Sequence, residues 1–167
     1  MFVMAIPGAT LDQLEALYRA ELPRFVRVAA AILGDEGAGR DAVQDAFAQA
    51  VRKLASFKGD APLEAWVLRI VINEARMLRR REAGRLAHGA ELAISPSTNH
   101  RPESDAEVRA WIATLPERQR LAVFLRYFAD LDYRSIAAAL DVEVGTISAT
   151  LALAHTALRR SHEEALR

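Results

Sequence analysis

The chain has 167 residues, of which 51% are hydrophobic, 26% charged and 7% aromatic, the proportions of an ordinary folded protein rather than a disordered or fibrous one. Its 22 Lys and Arg are matched by 22 Asp and Glu, so the molecule as a whole exerts no pull on nucleic acid and any such binding must come from charge gathered locally. With no cysteine, a disulfide framework, a thiolate zinc site and a cysteine nucleophile are excluded.

Apolar residues recur with helical spacing, and no segment joins strict alternation to the β-branched and aromatic enrichment of strands, so the expected class is all-α. In chain order, the start Met1–Ile6 lacks the basic leader and long apolar core of a secretory signal. The first block predicts helices over Leu11–Leu33, Gly39–Phe57 and Pro62–Arg81. Thr10 and Gln13 form a capping-box pair ahead of the first, Gly34 is its stop, and Pro23 is placed to kink or split it. No apolar run nears the roughly 20 residues that span a bilayer, since Arg24 and Arg27 interrupt one and Arg69 another. No membrane insertion is therefore expected, and a cytoplasmic location fits.

From Gly84 to Asp105 the pattern collapses into Gly84, Gly89 and Ser95-Pro96-Ser97-Thr98-Asn99-His100-Arg101-Pro102, which is linker chemistry. The expected organisation is a domain over 1–83, a flexible linker over 84–105 and a second domain over 106–167, with two separate cores. In the second block helices are predicted over Ser104–Thr114, Pro116–Asp130, Tyr133–Leu140 and Val144–Ser161. The short break before the last is the outline of a helix-turn-helix, with Ile136, Ala137, Leu140, Val144, Ile147 and Leu151 as the seam of the crossing.

Charge is gathered in one place. Between Arg69 and Arg85, six arginines meet only Glu74 and Glu82. At 100° per residue, Arg69, Asn73, Arg76 and Arg80 share one sector while Val67, Val71, Ala75 and Leu78 lie opposite. Trp66, Ile70 and Met77 make an apolar strip beside the basic face, an arrangement suited to unstacked bases and their phosphates. The bland alternative is a solvated helix end whose cations complement the dipole. His88, His100, His155 and His162 show no metal-ligand spacing, and there is no Gly-rich phosphate loop or nucleophile elbow. No enzyme, metal or cofactor is expected.

The segment from Asp41 to Arg81, DAVQDAFAQAVRKLASFKGDAPLEAWVLRIVINEARMLRRR, resembles the second conserved region of extracytoplasmic-function (ECF) sigma factors of the sigma-70 family. Leu115 to Arg160, LPERQRLAVFLRYFADLDYRSIAAALDVEVGTISATLALAHTALRR, resembles their fourth region. The resemblance implies an RNA polymerase sigma factor for promoter recognition and transcription initiation, built from a region 2 bundle and a region 4 helix-turn-helix. Its implied partners are core RNA polymerase, promoter DNA and, in many members, an anti-sigma factor. It assigns polymerase contact to Asp41, Gln44, Asp45 and Gln49. Capture of the melted −10 strand falls to Phe57, Lys58, Asp60, Trp66, Arg69, Asn73, Arg76, Arg79 and Arg80, and −35 contact to Arg126, Arg134, Thr146, Ser148, Ala149, Thr150 and Arg159.

The chain departs from this family where the −35 element would be read. Members commonly continue V-G-T-V-K-S-R-L, whereas here Val144-Gly145-Thr146-Ile147 runs on into Ser148-Ala149-Thr150-Leu151-Ala152-Leu153-Ala154-His155. Arg40 also stands where an acid is usual. An uncharged reading helix keeps a second expectation open, a sigma-like protein that works by protein–protein binding, to an anti-sigma factor or to polymerase, without −35 readout.

Overall fold

The computed structural model describes residues 8–86 and 110–166. Within them all regular structure is helical. Most of the expected linker, with Gly89 and Ser95–Pro102, lies outside the described residues, as do Met1–Ile6, His88, His100 and the expected helix start at Ser104.

Helix α1 spans Leu11–Leu33. The Thr10 hydroxyl accepts from the Gln13 amide at 3.3 Å while Gln13 Oε1 accepts from the Thr10 amide at 2.9 Å, so two orphan donors are satisfied reciprocally. Gly34 ends the helix in the left-handed conformation, φ 80°, donating to the Ala30 carbonyl. Pro23 does not split the helix.

Helix α2 spans Glu36–Lys53 and begins three residues before the expected Gly39, because the Asp35 carboxylate caps it through the Ala38 amide at 2.7 Å. Gly39 has a packing role instead. A Cβ there would lie 2.8 Å from the Ala30 amide nitrogen, so α1 and α2 meet backbone to backbone at this point. The chain then tightens into a single 3-10 turn, Leu54–Ser56, in place of the last turn expected for α2.

Helix α3 spans Leu63–Leu86 and runs through Gly84, past both its expected end at Arg81 and the expected domain end at 83. Its buried stripe, Val67, Leu68, Val71, Ile72 and Ala75, closes a three-helix core with Phe25, Val28 and Ile32 of α1 and Val43, Ala46 and Ala50 of α2. Leu78, expected in that stripe, is only half-buried. Tyr18 and Phe25 both meet the Phe47 ring edge-on, at centroid distances of 4.8 and 5.4 Å.

The second unit comprises helical residues 110–114 followed by α4, Glu117–Tyr127, α5, Tyr133–Leu140, and α6, Val144–Ala165. The expected α4 ran to Asp130, but Asp130 has φ 53° and breaks the helix. Asp132 caps α5 by accepting from the Ser135 amide, and Asp141 closes it in the left-handed conformation. α5 and α6 cross at 102°, the angle of a helix-turn-helix. Ile136, Ala137, Ile147 and Leu151 form the buried seam with Leu121 and Leu125 of α4. Val144 does not join it and is 45% exposed, since it occupies the first turn of α6 beyond the crossing.

The two units touch. α5 packs along α3, and the buried residues of both belong to one contiguous apolar cluster, with Ile70, Leu78 and Leu140 packed against it. The two cores are thus not separate, as expected from the linker, because the half-buried strip of α3 is covered by α5.

Candidate nucleic-acid and polymerase interface

The basic face of α3 follows from its length. More than six turns of uninterrupted helix keep Arg69, Asn73, Arg76 and Arg80 in register on one side while the opposite side is held by the core. At its N-terminal end the loop after α2 brings Phe57 against Trp66, with ring centroids 5.3 Å apart and planes tilted by 55°. Both rings are half-buried, whereas Lys58, Asp60 and Asn73 are exposed around them. Gly59 turns the loop at φ 76°. The result is an aromatic platform with polar edges beside a line of cations, chemistry that can stack a base and hold the phosphates on either side of it.

Three of these arginines meet acids of the second unit. Arg69 Nη2 lies 2.6 Å from Asp141 Oδ2, Arg76 Nε donates to Glu117 Oε1 at 3.2 Å, and Arg79 Nη2 is 3.5 Å from Glu117 Oε2. Arg80 is exposed. Partly exposed pairs of this kind contribute about 0.2–1 kcal/mol each and weaken with salt. They hold the units together loosely, and a nucleic-acid phosphate competes for the same guanidinium groups.

Further along the junction the charges are less well matched. Glu64 pairs with Arg24, yet burial raises its pKa above the usual 4.5, against the lowering effect of Arg24 and with help from the nearby charges of Glu21 and Asp132. Asp132 is held below 3.8, chiefly by the hydrogen bond from the Ser135 amide at the α5 cap. Burial, and then the charge of Arg79, lowers the pKa of the Arg120 guanidinium.

On α2, Asp41, Gln44 and Asp45 form an exposed polar face. Gln49 turns inward, where its amide donates to the buried carboxylate of Glu74 on α3. Its amide is thereby committed to a contact within the unit. Next to Gln44 is an apolar groove lined by Leu11, Leu14, Tyr18, Phe47 and Val51, in which Leu11 and Val51 are exposed.

On α6, Ser148, Ala149, Ala152 and Leu153 face solvent. Thr150 is buried, and its hydroxyl donates to the Thr146 carbonyl at 2.7 Å. Arg126 Nη1 donates to the Leu131 carbonyl at 3.0 Å, and its guanidinium lies over the rings of Tyr133 and Tyr127. His155 shares a 2.8 Å hydrogen bond with the Tyr127 hydroxyl. Arg134 and Arg159 are exposed. No cluster of metal-ligating side chains occurs among the described residues, nor is any single helix there long and apolar enough to cross a membrane.

The Sigma-70 region 2 family matches residues 17–85 and the Sigma-70 region 4 family residues 105–158. The RNA polymerase sigma-H factor of Pseudomonas aeruginosa is 32% identical, covering 80% of this chain and 77% of its own. The chain belongs to the ECF sigma factors of the sigma-70 family. The ECF RNA polymerase sigma-E factor of Escherichia coli K12 is also 32% identical, over 71% of this chain and 70% of its own. Among solved structures, the sigma factor RpoE in complex with the anti-sigma factor NepR, from Bartonella quintana, shares the fold with a TM-score of 0.71 at 20% identity, covering 92% of this chain and 98% of that one.

As a sigma factor the protein serves promoter recognition and transcription initiation by RNA polymerase. Two residues that the resemblance placed on its surfaces make contacts within the protein instead of standing free. Thr150 is turned into the unit by the period of α6, and Gln49 is bound to Glu74. Sequence reasoning missed Glu117 and Asp141 as partners of the α3 arginines, and the Leu11 and Val51 groove beside Gln44. The pairings had no sequence signal, since they join residues 41 and 72 positions apart.

Proposed function

We propose that region 2 of this sigma factor captures the melted −10 strand on the Phe57 and Trp66 platform and the Arg69, Asn73, Arg76, Arg79 and Arg80 face. Lys58 and Asp60 form the rim. The reading rests on one observation, the placing of a half-buried aromatic pair at the end of a helix face carrying at least three cations. Asp41, Gln44 and Asp45, with the apolar groove at their side, dock on core polymerase. Residues up to Leu86 form the first unit, and the second unit approaches the −35 element through Thr146, Ser148 and Ala149, with Arg134 and Arg159 on phosphates. Arg126, tied to Leu131, shapes the turn before α5 and adds charge near the DNA. The protein works in the cytoplasm, has no catalytic activity of its own and uses no cofactor or metal.

Because Arg69, Arg76 and Arg79 are engaged by Asp141 and Glu117, strand capture requires the units to part. An anti-sigma factor that kept them together would oppose it. Run-off transcription with core polymerase over a promoter library tests the whole reading. Initiation at a defined promoter is expected, and its loss is expected on replacing Trp66 and Asn73 by alanine. Absence of any initiated transcript across the library would refute it.

A second reading is favoured by the uncharged α6 face, where Leu153 is 61% exposed. Here region 4 binds a protein partner and does not read the −35 element. Scrambling the −35 sequence while keeping the −10 element separates the two, since the second reading alone leaves transcription unchanged.

A further inference from the structure

Where α3 meets the start of α4, a recess of about 330 Å³ is lined by Arg76, Arg80, Glu117, Arg118 and Leu140. Arg79 and Arg120 neighbour the same Glu117 carboxylate but do not line the recess. Arg79 reaches Glu117 Oε2, and Arg120 lies close enough to Arg79 to feel its charge. Three guanidinium groups therefore line the recess around one carboxylate, both of whose oxygens are taken, Oε1 by Arg76 and Oε2 by Arg79. Arg79 Nη1 and Arg120 Nε are buried and find no acceptor among the described residues. Arg80 and Arg118 make no ion pair among the described residues. Crowded, partly desolvated cations with unused donors favour an anion with several acceptor oxygens and more than one charge.

We propose that this junction is a binding site for a small, multiply charged phosphate, a diphosphate group, held between Arg76 and Arg80 of α3 and Arg118 of α4. The volume is at the small end of ligand pockets, which suits a free diphosphate or the diphosphate of a nucleotide. α5 lies along α3, and its Leu140 forms one wall of the recess. The planar guanidinium fork, which takes two oxygens at once, selects phosphate over a halide. Glu117 stays on Arg76 and Arg79, and the ligand takes the donors that Glu117 leaves.

The site draws cations from both units, so its ligand binds the touching arrangement better than the parted one and shifts the population toward it. Given the reading of Arg76, Arg79 and Arg80 as holders of the −10 strand, the ligand also competes with promoter DNA. This last consequence rests on that reading, and the binding itself does not.

Calorimetric titration of the full chain with inorganic diphosphate, and separately with inorganic monophosphate, tests the site. Diphosphate is expected to bind about tenfold tighter than monophosphate, because it reaches cations on both units at once. Arg118→Ala, at an exposed position that takes no part in strand capture, is expected to weaken diphosphate about tenfold, and Arg118→Lys less, since the charge remains and the fork is lost. Fluorophores on a cysteine pair introduced on α1 and α6, in a chain with no native cysteine, are expected to draw together on titration. Absence of binding, equal affinity for the two anions, or an unchanged affinity in Arg118→Ala would each overturn the proposal. So would an equal loss of single-stranded oligonucleotide binding in Arg118→Ala, which would make the recess part of the nucleic-acid track. Run-off transcription by the wild-type chain keeps the two readings apart. Transcripts without diphosphate binding sink only this site, and diphosphate binding without transcripts sinks only strand capture.

Discussion

Asp141 closes α5 in the left-handed conformation, φ 57°, and its carboxylate lies 2.6 Å from Arg69 on α3. One residue thus shapes a turn in the second unit and holds a cation of the first. The two roles separate by substitution. Asp141→Gly keeps the turn, which glycine adopts freely, and deletes the pair, so thermal stability is expected within about 1 kcal/mol of wild type. Asp141→Val loses both and forces a β-branched residue into φ > 0, costing about 1–2 kcal/mol or more. Asp141→Gly is also expected to bind a single-stranded −10 oligonucleotide several-fold tighter by fluorescence anisotropy. Unchanged affinity would mean that Arg69 does not hold the strand.

Glu117 engages two arginines, so its neutralisation has a signature in salt dependence. In Glu117→Gln, Arg76 and Arg79 are released to the nucleic acid. The slope of log affinity against log salt for single-stranded DNA is expected to steepen by roughly 0.7 for each released arginine that reaches a phosphate. A parallel line would show that Glu117 and the strand use different cations.

Two glycines are expected to respond with opposite sign. Gly39→Ala sets a methyl 2.8 Å from the Ala30 amide nitrogen and must push α1 and α2 apart. A loss of about 1–3 kcal/mol in denaturant titration is expected. Gly145→Ala has open space around its Cβ in the first turn of α6 and should gain up to about 1 kcal/mol.

On α6, burial divides residues that the sequence left together. Thr150→Val removes a hydroxyl bound to its own helix and is expected to leave −35-dependent transcription unaltered. Ser148→Glu places a negative charge on the exposed face and is expected to abolish it by repelling phosphate. Equal effects of the two would contradict the orientation of α6.

Glu64 feels the charge of Asp132 across the junction, and the two titrate with opposite consequences for stability. The folded protein holds the Glu64 proton at pH values where the unfolded chain has released it, so stability falls as pH rises from 4.5 through its raised value. Asp132 is depressed when folded. Its contribution is present above 3.8 and is lost as pH falls through its lowered value. Denaturant midpoints measured across pH should lose the first trend in Glu64→Gln and the second in Asp132→Asn. Asp132→Asn should also move the Glu64 titration, followed by carboxyl NMR, down toward 4.5.

What the sequence disclosed were the features encoded locally. The Thr10 and Gln13 box, the Gly34 stop, the basic face of α3 and the Ile136, Ile147 and Leu151 seam all depend on spacing within one or two turns, and the structure has each of them. The spacing predicts a helix start at Gly39, three residues late, because the Asp35 cap carries the start and the glycine does not. Its reason to exist is the approach of Ala30 from another helix. The expected linker starts at Gly84, but one glycine costs a long helix only about 1 kcal/mol, and α3 continues through it to Leu86. For the site, residue types were legible and their partners were not. Nothing local shows that Gln49 turns to Glu74, or that Glu117 meets Arg76.

The three helices that carry the aromatic platform and the basic face are contiguous in the chain and pack chiefly on one another. Domains fold as units in order of synthesis, and helical contacts of short sequence separation form fast. On the ribosome, α3 therefore has a finished, uncovered cationic surface before Glu117 and Asp141 have been added to the polypeptide. A newly made molecule passes through a period in which its strand-binding surface is open, and the order of the two regions along the gene sets when that period ends.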